Sequence, residues 1–224
     1  TQHPLGFTEA NMVTSRGCIY NCAFCAAASS INRPLGIREK SAMSIILEVK
    51  HLINIYPGLQ SIRILDDLFL KNSKTIDKAI EVFKNFKLQW RSMAHVETFK
   101  NIDENKIIEL KASGCSELFI GIESGSPKIL KQIHKTNDID KIKERITLLL
   151  KNSINVKGYF IFGFPGETDD EFNETVEFLK DLDVSYYESI IRNMSKERQS
   201  HLSPILDTLF EQFKPVEIKK VEIE

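Results

Sequence analysis

Val156-Lys-Gly-Tyr-Phe-Ile-Phe162 is followed at once by Gly163-Phe-Pro-Gly-Glu167 and then by Thr168-Asp-Asp-Glu171. The first run is the most apolar strand-like segment of the chain, as a strand buried on both faces should be. The Gly and Pro residues after it make a turn on composition alone. Thr168 and Glu171 form a capping box, and Phe172, Val176 and Leu179 then fall on one face of a helix. A doubly buried strand joined to an amphipathic helix by a short turn is a βα unit, which predicts a parallel sheet with helices packed on it.

The same unit recurs on either side. Asn11 to Ser15 reads as a first strand, and Ser41 to Tyr56 as its helix, with Ile45, Ile46, Val49 and Ile53 on one face. Ser61 to Leu65 is a second strand running into Asp66-Asp67, and Ile76, Ile80, Phe83 and Phe86 mark the helix after it. Gln89 to Val96 is a third strand, with a short helix capped by Asp103 and stopped at Gly114. Leu118, Phe119 and Ile120 lead a fourth strand into Gly121-Ile-Glu-Ser-Gly125. Ser126-Pro127 starts a helix, and Ile139, Ile142, Ile146 and Leu149 continue the helical layer after a break near Asn137. Beyond the fifth strand, Val184 to Ile191 is a sixth, and Pro204 to Phe213, capped by Ser203, is a sixth helix. Six such units predict an α/β fold, a partial (βα)6 barrel with a parallel sheet and outer helices. It would occupy residues 1–214, with 215–224 a tail that alternates like an edge strand.

The chain has 224 residues, 42% of them hydrophobic and 27% charged, which excludes a disordered protein. Its formal net charge of -1 offers no global positive field for nucleic acid or an anionic membrane. The longest uncharged run, Gly17 to Asn32, is too short and too rich in Cys, Asn and Ser to span a bilayer. No basic stretch followed by an apolar one opens the chain, so a cytoplasmic protein with no membrane and no nucleic-acid partner is expected. The start at Thr1, close to strand-like material, suggests a segment of something longer.

Of four cysteines, three crowd into Cys18-Ile-Tyr-Asn-Cys-Ala-Phe-Cys25 and the fourth, Cys115, stands alone. A secreted disulfide framework would spread an even number over a small domain; one tight cluster points to metal ligation in a reducing compartment. Structural zinc closes its shell with four protein ligands, and no second pair of cysteines follows, so zinc would need Cys115 or a distant histidine. A cubane iron-sulfur cluster held by three cysteines leaves one iron open to a small molecule. Unligated thiols are the third reading. Cys115, ahead of the fourth strand and at the opposite end from the cluster, reads as a buried structural thiol.

The spacing C-x3-C-x2-C, with the aromatic Phe24 before the last cysteine, resembles the signature of the radical S-adenosylmethionine (radical SAM) enzymes. Together with Thr14-Ser-Arg-Gly-Cys18, Asp66-Asp67, Gly121-Ile-Glu-Ser-Gly125 and Gly163-Phe-Pro-Gly166, it is most similar to their cobalamin-associated class, over roughly residues 8 to 185. The resemblance implies a [4Fe-4S] cluster on Cys18, Cys22 and Cys25, and S-adenosylmethionine (SAM) as the molecule it cleaves. It implies SAM contacts by Phe24, by Asp66 or Asp67 to the ammonium, by Glu123 and Ser124 to the ribose, and by Phe162 and Gly163 to the adenine. Asp-Asp stands where the family usually has Gly-Gly-Glu, and two adjacent acids at a strand end also read as helix caps. His95 with Glu97 at the third strand end, and Arg33 with Arg38 after the cysteine loop, are further candidates; packed or surface roles are the competing readings.

Members of the class often methylate unactivated carbon. Their cobalamin domain normally precedes the core, so cobalamin is expected only if a separate domain is missing from this chain. A small-molecule or peptide substrate and a reductant such as flavodoxin or ferredoxin are implied as partners. A methylthiotransferase is the rival enzyme, although it would want an RNA-binding domain and a second cluster, neither of which is visible. A non-catalytic, metal-stabilised binding module is the remaining alternative.

Overall fold

The computed structural model describes residues 7–29, 33–182 and 186–191. In chain order the strands are β1 (Glu9–Met12), β2 (Ser15–Arg16), β3 (Arg38–Glu39), β4 (Ser61–Ile64), β5 (Gln89–Ala94), β6 (Cys115–Glu123), β7 (Asn155–Phe162) and β8 (Tyr186–Ile191). The α-helices are α1 (Ala26–Ser29), α2 (Ala42–Ile55), α3 (Ser73–Phe83), α4 (Glu104–Ala112), α5 (Pro127–Gln132), α6 (Ile139–Lys151) and α7 (Asp169–Asp181). Six strands pair in the order β1-β4-β5-β6-β7-β8, every pair parallel. This is the partial (βα)6 architecture expected of the chain, with helices following the strands as crossovers. The predicted helix at Pro204 to Phe213 and the alternating tail lie outside the described residues.

The first strand is displaced from its expected position. Pairing with β4 falls on Glu9–Met12, and Ser15–Arg16 turns away to pair antiparallel with β3, in a second sheet of two strands. The third strand stops at Ala94 because the His95 side chain caps a 3-10 turn over Val96–Phe99. Phe86, expected on the second helix, lies beyond the end of α3.

The outward face of the sheet carries the apolar core. Phe160 and Phe162 of β7 are fully buried, and their rings lie 6.1 Å from Phe178 and 5.2 Å from Phe172 of α7. Trp90 of β5 stacks on Phe83 of α3 at 5.1 Å, and its indole N–H donates to the Ser113 carbonyl at 3.1 Å. The inward face is polar instead. Arg91 of β5 reaches across β4 to Glu9 of β1, with two contacts of 2.7 Å, and sideways to Glu117 of β6 at 3.1 Å. Phe119 lies between Arg63 and Arg91, whose guanidinium carbons are 5.1 and 5.5 Å from its ring centroid.

Gly125, just past β6, is where α7 touches the sheet. A Cβ there would stand 2.5 Å from the Phe178 Cβ, 2.7 Å from the Thr175 Cα and 2.9 Å from the Glu174 carbonyl oxygen. These are largely backbone atoms, so the helix as a whole has to retreat. Gly125→Ala should therefore lower stability by about 2 kcal/mol or more, at the upper part of the overpacking range. A urea titration checks this; an unchanged midpoint would contradict the contact.

Candidate active site

Because all strands of the main sheet are parallel, the segments after β4, β5, β6 and β7 open at one end, where ligands of such barrels bind. The cysteine loop follows β2 and lies over this mouth, held by three other segments. Ala23 N–H donates to the Ile133 carbonyl at 3.1 Å, and the His134 ring bonds the Asn21 carbonyl at 3.1 Å, so both neighbours of Cys22 are tied to the link between α5 and α6. Tyr20 stacks on His95 at 3.8 Å. Phe24 packs on Phe164, after β7, at 5.8 Å.

Asp66 secures the entry to the loop. Its buried carboxylate accepts from Thr14 N–H and Thr14 Oγ1 at 2.6 Å and from Ser15 Oγ at 2.7 Å. Both oxygens thus accept from the residues that enter the loop, which tethers Asp66 to it. Asp67 is exposed, and its carboxylate accepts the Gly17 N–H at 2.7 Å. Asp66→Ala would leave the buried Thr14 N–H unpaired, an expected cost of about 1–3 kcal/mol, together with reduced iron uptake. Wild-type melting and iron content in that variant would show that the tether is dispensable.

Cys18 and Cys25 are partly buried, Cys22 is buried, and all three are free thiols. Burial pushes the Cys18 and Cys22 thiols up; the Cys25 sulfur adds to both and Cys18 to Cys22, Asp67 adds to Cys18 and Glu123 to Cys22, and Lys135 lowers both. Among the described residues, no three His, Cys, Asp or Glu side chains are grouped to hold a single metal ion. With Zn–S bonds of about 2.3 Å, thiolates sharing one ion stand within about 4 Å of each other. A cubane places each thiolate on its own iron corner, so its ligands stand farther apart. Three soft donors on one loop, beside a buried lysine, therefore fit a cluster better than an ion. Cys115, fully buried at the start of β6, is at the opposite end of the sheet.

Glu123 ends β6 in the left-handed region (φ 74), an uncommon conformation for this residue that marks functional sites. Its carboxylate accepts from Lys135 Nζ at 3.0 Å, and Lys135 also donates to the Gly121 carbonyl at 2.6 Å. A Cβ on Gly121 would stand 2.2 Å from the Glu123 Oε1 and would displace that carboxylate. Ser124 is fully buried, its Oγ bonded to Thr175 Oγ1 at 2.9 Å and accepting the Ser126 N–H at 3.0 Å. It ties β6 to α7. Phe162 turns its ring into the helix layer, and the Gly163 N–H donates to Glu167 at 2.6 Å. What β7 can offer a nucleoside is thus its remaining backbone. Arg38 is exposed on β3.

His95 is buried. Its Nδ1 accepts the Glu97 N–H at 3.1 Å, and its Nε2 has no partner among the described residues. Burial first, and then Lys135 and Arg145, push its pKa down to about 3, so the ring is neutral at every physiological pH. Glu97 pairs with Arg145, which together with Thr136 holds its carboxyl down against burial. Tyr20 and Lys135 were not legible as site residues. Tyr20 is an unremarked position inside the cysteine loop, and Lys135 lies in a polar link with no motif around it.

A six-stranded parallel half-barrel with a three-thiol loop over its mouth defines an iron-sulfur barrel core. A family model described as the Radical SAM superfamily matches residues 12–179, and the chain belongs to that superfamily. The family's cofactors are a [4Fe-4S] cluster and SAM. The chain is 33% identical over 180 residues to "Uncharacterized methyltransferase PH0819" of Pyrococcus horikoshii, covering 78% of this chain and 37% of that protein. It is 34% identical over 109 residues to tRNA-2-methylthio-N(6)-dimethylallyladenosine synthase of Acinetobacter baumannii, covering 48% of this chain and 22% of that protein. The radical S-adenosylmethionine methyltransferase TsrM from Kitasatospora setae, solved with cobalamin and a [4Fe-4S] cluster, superposes with a TM-score of 0.68 at 18% identity, covering 81% of this chain and 34% of that one. The chain thus spans well under half the length of each relative.

Proposed function

We propose that this chain is the catalytic core of a radical SAM enzyme that transfers a methyl group, with Cys18, Cys22 and Cys25 ligating three corners of the cluster. The observation that carries this is the set of three free thiols on one loop at the mouth of the barrel, with the remaining cysteine buried at its far end. When bound, the cluster supplies the electron that cleaves SAM reductively. Asp67 receives the SAM ammonium, a charge-assisted contact. Glu123, oriented by Lys135, accepts the ribose hydroxyls, and the backbone around Phe162 and Gly163 lies along the adenine. Phe24, seated on Phe164, flanks the same nucleoside. Asp66 and the clasps at Asn21 and Ala23 keep the loop in position and water out.

Carbon methylation of a small-molecule or peptide substrate is the reading that the methyltransferase relative supports. Cobalamin would be held by a domain outside this core. A reductant such as flavodoxin or ferredoxin delivers the electron in a reducing compartment such as the cytoplasm. Among the described residues no helix is long and apolar enough to cross a membrane. The alternative, methylthiolation, is favoured by the shorter match to the tRNA-modifying synthase.

The test is anaerobic. The chain is reconstituted with iron and sulfide, given SAM and dithionite, and its products are identified by mass spectrometry. Formation of 5′-deoxyadenosine is expected, with S-adenosylhomocysteine added when a methyl acceptor is present. Purification with zinc in place of iron, or an iron-loaded protein inert toward SAM, would overturn the reading.

A further inference from the structure

Arg63 of β4 stands on the inward face of the sheet, in register with Asn11 on one side and with Arg91 and then Glu117 on the other. Its long side chain crosses β5 and climbs. The guanidinium carbon lies 5.1 Å from the ring centroid of Phe119, which is two residues nearer than Glu117 to the carboxyl end of β6. That end is the mouth of the barrel. The two arginines that share this ring differ in one respect. Arg91 is spent, with Glu9 and Glu117 taking its Nε, Nη1 and Nη2. Arg63 has no ion-pair partner among the described residues, and its Nε is buried without a hydrogen bond. Buried N–H groups are ordinarily satisfied, and an arginine that serves only the surface keeps its head in water.

The charge of this face points the same way. Below the Glu123–Lys135 pair, its described side chains carry three cations, Arg63, Arg91 and Lys157, against two carboxylates, Glu9 and Glu117. One positive charge is left over. Asn11 and Leu65, beside Arg63 on the same face, are exposed, so this part of the barrel interior is accessible.

We propose that Arg63 is a substrate anchor, holding an anionic oxygen group, a carboxylate or a phosphate, of the molecule acted on at the mouth. The inference rests on the functional reading above and narrows its substrate to an anion. A guanidinium seated on an aromatic ring has its plane fixed, and its N–H groups form a fork that matches carboxylate and phosphate oxygens. Such charge-assisted contacts are strong, and the anion takes up the surplus charge. Anchoring one end of the substrate below the mouth leaves its other end toward the cysteine loop, where orientation decides which carbon reacts.

The experiment follows the melting temperature of the reconstituted chain, with SAM present, as inorganic phosphate or succinate replaces chloride at constant ionic strength. A ligand of the folded state raises that temperature. A saturable rise is expected with at least one of the two probes, phosphate pointing to a phosphate-bearing substrate and succinate to a carboxylate-bearing one. Arg63→Gln should raise the half-saturating concentration about tenfold or more, the effect of losing a hydrogen bond between charged groups. Arg63→Lys, a point charge without the fork, should fall between the two. Lys50→Gln, which removes an exposed charge on α2, should respond as the wild type does. No saturable rise, an unchanged response in Arg63→Gln, or an equal loss in Lys50→Gln overturns the inference. So does a rise seen only without SAM, since the probe would then occupy the place of SAM's own carboxylate. If Arg63→Gln does not fold, Arg63→Lys decides, and a half-saturating concentration equal to that of the wild type overturns the proposal. A chain that takes up no cluster would instead defeat the functional reading, and the anion titration, which needs no cluster, still decides whether Arg63 is an anion site.

Discussion

Cys22→Ala should reduce 5′-deoxyadenosine formation to background and lower iron content, while the protein melts close to the wild-type temperature. Cys22 is the most buried thiol of the loop, at 9% exposure, and its backbone takes part in the loop independently of its sulfur. The Cys25 N–H donates to its carbonyl at 3.1 Å, and its neighbour Ala23 is tied to Ile133. Alanine keeps these bonds and removes one small side-chain atom, a stability cost of about 1 kcal/mol. Activity and stability thus separate. Cys115→Ala is the control: that thiol is fully buried at the far end of β6, so its removal should affect stability and leave cleavage of SAM intact. Cleavage surviving in Cys22→Ala, or lost equally in Cys115→Ala, would sink the assignment.

Arg91→Met should destabilise the fold by about 3–5 kcal/mol, the usual cost of breaking a buried ion pair from one side. Arg91 serves two carboxylates, Glu9 and Glu117, whose side chains are 0% and 5% exposed, so methionine leaves two buried negative charges without a partner. Burial already pushes the Glu117 carboxyl up, with Arg91 opposing it. Without Arg91 that carboxyl rises further. A group whose folded-state pKa lies above its unfolded value binds more protons in the folded state, so stability is lost as pH rises through that interval and recovered as it falls. The deficit of Arg91→Met should therefore be larger at about pH 8 than at about pH 5, where the stranded Glu117 carboxyl can be neutral. Urea midpoints at the two pH values check this. A deficit that grows on acidification would show that the triad is not the source.

The strands and helices were legible because each carries its own periodicity and stop signals. On β7, Val156, Phe160 and Phe162 are buried under the helix layer while Lys157 and Tyr159 on the alternate face are only partly buried, and the Thr168 capping box is a purely local device that the structure retains. The cysteine spacing was legible for a similar reason: three ligands on one short loop need no distant partner to be recognised. What short-range pattern does not carry is a side chain's partner when that partner is far away in sequence. Asp66 and Asp67 are adjacent and chemically identical, yet one faces Thr14 and Ser15, about fifty residues earlier, and the other is exposed. Strand alternation turns neighbours to opposite sides, and only the packing says which side is which.

By itself, then, the sequence determined the α/β plan, the mouth at which the loop sits, and the three thiols, all of which depend on short-range pattern. Only the tertiary structure decided that Ser124 belongs to the contact with α7, that Glu123 is held at φ 74 by Lys135, and that Tyr20 rests on His95. These pairings join segments brought together by the closure of the parallel sheet, and no local propensity encodes which side chains meet when distant strands end side by side.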